Sequence, residues 1–205
     1  MRLAGYLTLV FLSLSVAIYA VGVYTWFPLG AAVHPDMQPT FVAHGALIYV
    51  HVFAAAFALL LGPFQFSTRL RTTRPVLHRW TGRLYLGIGV LVGGAVGFLA
   101  SFQAFGGPAA RAGFACLALA WLYTGLRAYL AIRARDIASH RRWMTRNYAL
   151  TFAAVTLRIW IPLSFVSGVP FGVSYPVIAW LCWLPNLLIA ELALNRRQTA
   201  VLPQS

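Results

Sequence analysis

The sequence predicts an all-α membrane protein, a polytopic bundle of six transmembrane helices, and three observations carry that prediction. Of the 205 residues, 60% are hydrophobic and only 9% charged, whereas a soluble domain carries about 25% charged residues. The apolar residues collect into six long runs, and about 20 such residues span a bilayer. The sixteen basic residues are all Arg, lie mainly between those runs, and face three acidic ones. In a soluble chain a net charge of +13 would suggest nucleic acid. Placed between apolar runs it points to the membrane surface instead, and no nucleic-acid partner is expected.

The runs cover approximately 4–28, 42–66, 83–104, 110–133, 147–166 and 174–195, one domain over 1–205 with no room for a separate soluble unit. The first follows Arg2, is too long for a signal-peptide core and lacks a small-x-small cleavage site, so it reads as a retained helix. GPFQF (62–66) ends the second run with a kink and an exit into an arginine-rich connection. That connection holds Arg69, Arg71, Arg74, Arg79 and Arg83; the one between the fourth and fifth runs holds Arg133, Arg135, Arg141, Arg142 and Arg146. The opposite loops, near 29–41, 105–109 and 167–173, hold no arginine, with Arg111 beside one of them. Lys and Arg favour the cytoplasmic side, so both termini are expected in the cytoplasm, with anionic lipid at that face. In the third run Gly89, Gly93 and Gly97 recur every four residues, which permits close helix approach or clearance for a macrocycle. Pro185 and Asn186 mark a kink in the sixth. Cys116 and Cys182 lie in apolar runs as free thiols.

Two stretches repeat a phrase: HRWTGRLY (78–85) and HRRWMTRNY (140–148). Each precedes or enters a run crossing in the same direction, so the second–third and fourth–fifth runs form a possible tandem hairpin repeat. Interfacial anchoring accounts for Trp80, Trp143, Tyr85, Tyr148 and the arginines, because aromatic rings and Arg favour the headgroup level. The histidines invite a sharper reading. His78 and His140 at matched depth could ligate a b-type haem iron, with Arg79, Arg83, Arg141, Arg142 and Arg146 available to its propionates.

A second constellation lies deeper. His44 and His51, seven residues apart, share a helix face about 10.5 Å apart along the axis. His51 falls near mid-membrane, where an ionisable side chain is a functional candidate, the alternative being a neutral ring bonded to a carbonyl. Arg158 lies at about the same depth. Glu191 sits too near the cytoplasmic end to pair with it; carbonyls freed by Pro162 or Pro185 could satisfy it, or a carbonyl-bearing or anionic ligand such as a quinone head. No P-loop, HExxH, G-x-S-x-G or paired carboxylates are present, so neither hydrolysis nor carboxylate-driven transport is expected. If the chain is an enzyme, it is a membrane oxidoreductase.

GPFQF, HRWTGRLY and HRRWMTRNYALTFAAVTLR together resemble an uncharacterised bacterial family of predicted inner-membrane proteins, a domain of unknown function, over about His44 to Pro162. The resemblance implies a bacterial six-helix inner-membrane protein and supplies no activity. The chain is also similar in architecture to the six-helix di-haem b-type cytochromes that pass electrons across membranes. Those place one histidine on each of four central helices; here the second run has two and the fourth has none, leaving at most one haem. Two functions stand as expectations: a haem b-binding, quinone-linked electron-transfer protein, or a non-catalytic accessory subunit that packs against or assembles a larger membrane complex, its partner another membrane protein or a second copy of the chain.

Overall fold

A computed structural model describes residues 3–199, with side chains through residue 196; Arg2 and the Arg197 side chain therefore lie outside the described residues. Among the described residues the chain is all helix. Six helices are long and apolar enough to cross a membrane: α1 (Leu3–Trp26), α3 (Gly45–Gln65), α5 (Pro75–Ser101), α6 (Gly107–Arg133), α7 (Ile137–Val166) and α8 (Phe171–Arg196). Two short helices, α2 (Gln38–Ala43) and α4 (Thr68–Thr73), lie in connections. The six-helix expectation stands.

The starts of the third and fifth runs are corrected. The repeated phrase lies inside α5 and α7, which begin eight to ten residues earlier than hydropathy suggests. Pro75 opens α5 at its first turn, where its missing N–H costs nothing. Asp136 caps α7, its carboxylate accepting from the Ser139 N–H at 2.9 Å. The opening turns of α5 and α7 are thus helical extensions that carry His78, Arg79 and Arg83 and His140, Arg141 and Arg142.

α3, α5, α6 and α7 close a ring in which each packs on the next. α1 lies against α3 and α7, and α8 against α6 and α7. Close approach follows from small residues: a Cβ on Gly89 would lie 2.7 Å from that of Ala58, and one on Gly62 would lie 2.1 Å from the Tyr148 ring. Packing without Cβ is how lipid-embedded helices gain van der Waals contact.

Tyr85 and Tyr148 correct the anchoring expectation. At 0% and 3% exposure they are core residues, their ring centroids 6.5 Å apart. The Tyr148 and Ser13 hydroxyls lie 2.7 Å apart. Tyr85 donates to Asn147 Oδ1 at 2.7 Å and lies 2.7 Å from Thr151 Oγ1. Asn147 Nδ2 in turn donates to Thr124 Oγ1 and the Trp121 carbonyl, and Trp121 Nε1 donates to Thr151. Tyr, Asn and Thr can sit here because their polar atoms find one another. Of the tryptophans, Trp80 remains 56% exposed beneath the Arg83 guanidinium, as an anchor should. Trp143 is held between Arg127 and Arg146 at 4.8 and 4.7 Å.

Candidate functional site

Three spans depart from regular α-helix at related positions. α5 is π-helical over Tyr85–Val92. α7 is interrupted at Phe152, between helical stretches ending at Thr151 and resuming at Ala153. α8 breaks at Cys182 and Trp183, where Pro185 cannot donate to the ladder. At this break the Cys182 carbonyl accepts from the hydroxyl of Thr156 and from Asn186 Nδ2. Irregular backbone at membrane depth persists where it is buried in protein or lines a cavity. Both conditions are met here. Tyr85, Gly89 and Val90 of the π-helical stretch are buried in protein. Cys182 at the α8 break, together with Gly93, Thr151 and Ala153 beside the other two irregular stretches, borders a cavity of about 270 Å³.

This cavity occupies the arginine-poor half of the bundle, and every span contributes to it. Its wall is mostly alanine, glycine, leucine and aromatic rings, with a few polar groups: His44, His51, Arg158, Tyr24, Gln103 and Thr151. An apolar hollow with a few convergent polar groups is the usual form of a small-molecule site.

His51 is positioned by glycine. A Cβ on Gly97 would lie 2.6 Å from His51 Nδ1, so the glycine ridge seats an imidazole as well as packing helices. Nδ1 donates to the Gly93 carbonyl at 2.9 Å, just beyond the π-helical stretch. A carbonyl cannot donate, so the proton of the neutral ring lies on Nδ1 and Nε2 keeps its lone pair. The carbonyl-bonded alternative raised by the sequence is therefore present, together with a lining position. The shared helix face expected for His44 and His51 is corrected: His44 lies in the non-helical junction between α2 and α3, its Nδ1 bonded to the Thr40 carbonyl at 3.1 Å, and still borders the same cavity.

Arg158 lies on α7 about 12 Å from its end. Its Nη1 donates to the Ala154 carbonyl at 2.9 Å, and its guanidinium lies over the Tyr19 ring at 5.7 Å. The acceptor is thus in its own helix, not a carbonyl freed by Pro162 or Pro185. A mid-membrane guanidinium costs about 2.5–3.5 kcal/mol on insertion scales. Arg158 is within electrostatic reach of His51 and Tyr24. The structure thus brings the sequence-selected trio, His44, His51 and Arg158, around one space. Sequence reasoning missed Tyr24, Gln103, Thr151 and the π-helical stretch; Thr151 and Phe152 offer no Pro or Gly to signal the interruption.

The other selected residues gather at the opposite end. His78, on α5, is half-buried, and its Nδ1 is a buried nitrogen with no hydrogen-bond partner among the described residues. It lies within electrostatic reach of His140, Arg71 and Arg79. His140 Nδ1 donates to the Ala128 carbonyl at 2.9 Å, leaving Nε2 as its lone-pair nitrogen. Arg79 and Arg141 are exposed, and Arg83 stacks on Trp80. Arg146 is committed elsewhere: it forks onto Glu191, Nε to Oε1 at 2.5 Å and Nη2 to Oε2 at 2.8 Å. Among the described residues no cluster of three or more His, Cys, Asp or Glu could hold a metal ion.

His34, which sequence reasoning did not select, stacks on Phe171 at 4.1 Å. It joins the aromatic group of Phe105, Phe165 and Tyr175 at the arginine-poor end.

Fold and site together define a polytopic membrane protein with an internal cavity bordered by all six of its spans. More particularly, residues 48–194 match the family described as predicted membrane protein, DUF2306, a domain of unknown function, and the chain belongs to that family. Searches of curated proteins and of solved structures give no match to the chain.

Proposed function

We propose that this is a bacterial inner-membrane protein that binds a lipophilic ring of the quinone class in the central cavity and takes part in electron transfer. One observation carries the reading: His51 and Arg158, the costliest polar groups to place at that depth, border a single apolar space that the α8 break lines at Cys182 and that Gly93, Thr151 and Ala153, next to the irregular stretches of α5 and α7, also line. A quinone ring presents carbonyl oxygens to the guanidinium and a flat apolar body to the alanine and glycine wall. With the arginine-rich end in the cytoplasm, the cavity lies toward the outer half of the bilayer. Arg79, Arg83 and Arg141 then meet anionic headgroups.

The test uses the full chain in lipid nanodiscs, titrated with 2-methyl-1,4-naphthoquinone while tryptophan fluorescence is followed. Trp121 in the cavity wall reports occupancy. Ala118→Leu fills part of the wall and is expected to weaken saturable quenching about tenfold, equivalent to about 1.4 kcal/mol, with the thermal midpoint held. Quenching that never saturates, or that is unchanged in Ala118→Leu, would falsify the reading.

A second reading has one observation in its favour. The unpartnered His78 Nδ1 faces the environment of His140, whose Nδ1–H···O=C bond fixes the tautomer that metal-ligating imidazoles commonly adopt. Haem b held by His78 and His140 would supply the electron partner for a bound quinone. An absorption spectrum before and after dithionite, on protein expressed with adequate haem, tests it; absence of a Soret band removes haem and leaves the cavity reading untouched.

A further inference from the structure

We infer that the cavity selects an organic anion: a lipophilic ring bearing an acidic hydroxyl or carboxylate, whose charge sits on Arg158. The inference rests on the reading of the cavity as a ligand site and narrows the chemistry of its occupant.

The argument begins with the whole charge complement of the chain. Only three residues are acidic, and each is engaged away from the cavity. The Asp36 carboxylate lies 3.5 Å from His34 Nδ1. Asp136 caps α7 through the Ser139 N–H. Glu191 is forked by Arg146. Among the described residues no Asp or Glu side chain pairs with Arg158. A guanidinium has five N–H donors and no acceptor, and here one carbonyl oxygen, that of Ala154, receives from it. The Tyr19 face offers a quadrupole, not an anion. Arg158 itself borders a space otherwise walled largely by carbon.

Low dielectric sharpens the consequence. Coulomb attraction scales inversely with the effective dielectric constant, so an anionic oxygen entering this hollow gains more from Arg158 than it would at the rim. A neutral carbonyl gains only a single charge-assisted bond. The arginines at the other end do not compete for the same guest, because they meet water, aromatic faces and Glu191. His51 commits its Nδ1–H to the Gly93 carbonyl, so the anion's charge is assigned to Arg158.

Two ring-matched probes separate the possibilities. In nanodiscs at pH 7.5, the full chain is titrated with 2-methyl-1,4-naphthoquinone, which is neutral, and with 2-hydroxy-1,4-naphthoquinone, which is ionised. The wild-type protein is expected to prefer the ionised probe by about tenfold or more, the scale of a close charge pair. Arg158→Gln should lower affinity for the ionised probe far more than for the neutral one and so abolish the preference, with an unchanged thermal midpoint showing that the variant is folded. Arg158→Lys should retain part of it. Equal affinity for both probes in the wild type, or a preference that persists in Arg158→Gln, overturns the inference and leaves the ligand reading standing. Failure of both probes to bind the wild type sinks the ligand reading itself, and the inference with it.

Discussion

Gly62 and Gly97 sit on adjacent spans, α3 and α5, and meet opposite circumstances. A Cβ on Gly62 would run into the Tyr148 ring at 2.1 Å, with the Tyr85 ring 3.1 Å away. Both rings are fixed, because each hydroxyl is held by a buried partner. A Cβ on Gly97 would meet His51 Nδ1 at 2.6 Å, but that ring borders open space and can swing into it. The comparison separates two regions of one bundle. The region around Tyr85, Tyr148 and Asn147 is filled and hydrogen-bonded. The region around His51 and Arg158 is hollow, and its polar groups are held from one side only. Filled cores give stability; a pre-formed hollow with one-sided polar groups is what a ligand site needs.

The largest effect should come from forcing atoms into the filled region. Gly62→Ala is expected to lower stability by about 3 kcal/mol, read as a fall in the thermal midpoint of the detergent-solubilised protein. A loss no greater than that of Gly97→Ala would erase the distinction. Next comes Tyr85→Phe, which leaves the buried Asn147 Oδ1 without its donor and should cost about 2 kcal/mol. Retention of wild-type stability there would mean that water or a rearranged amide serves the site. Gly97→Ala sharpens the contrast from the other side. It should cost about 1 kcal/mol or less, yet push the imidazole into the cavity and abolish saturable quinone quenching.

The rim should respond least. Glu191→Gln breaks a half-exposed fork on Arg146 and should cost about 1 kcal/mol, measured as a midpoint shift that shrinks in high salt. Asp136 provides the pH dependence. Its hydrogen bonds from the Ser139 and Ala138 N–H groups hold its carboxyl below the usual carboxylate range. A depressed folded value means that the cap stabilises above the unfolded carboxylate pKa and fades as pH falls through the folded one. Asp136→Asn should therefore flatten the acid limb of a stability–pH curve while leaving neutral-pH stability nearly unchanged. An acid limb identical to wild type would exclude Asp136 as the source of that pH dependence.

Much of this architecture was legible in residue order. Length, apolar runs and arginine spacing specify six spans because bilayer thickness leaves few alternatives. The helix starts at Pro75 and Ile137 were not legible from hydropathy, since His and Arg between residues 78 and 83 and between 140 and 146 interrupt the apolar run; the Pro75 and Asp136 caps were the available signals. Tyr85 and Tyr148 misled because an aromatic ring beside arginines suits an interface and a core equally. Only their partners Ser13, Asn147 and Thr151, distant in sequence, decide between the two. For the site, the cost of an imidazole and a guanidinium at mid-membrane singled out His51 and Arg158 without coordinates. The glycine spacing, by contrast, could not say that Gly97 makes room for a ring while Gly89 packs on Ala58. The cavity itself has no sequence signature, because it arises from small residues on six spans and an interruption at Phe152 that no Pro or Gly announces.

The most direct test of the account asks where in the bundle a ring-bearing lipophile resides. A photoreactive naphthoquinone, crosslinked to the full chain in nanodiscs and mapped by peptide mass spectrometry, should label cavity-lining residues such as Tyr24, Phe41 and Trp121. Excess 2-methyl-1,4-naphthoquinone should suppress that labelling. Labelling spread along lipid-facing residues such as Leu91, Leu119 and Ile189, or confined to the arginine-rich end and insensitive to competitor, would contradict it.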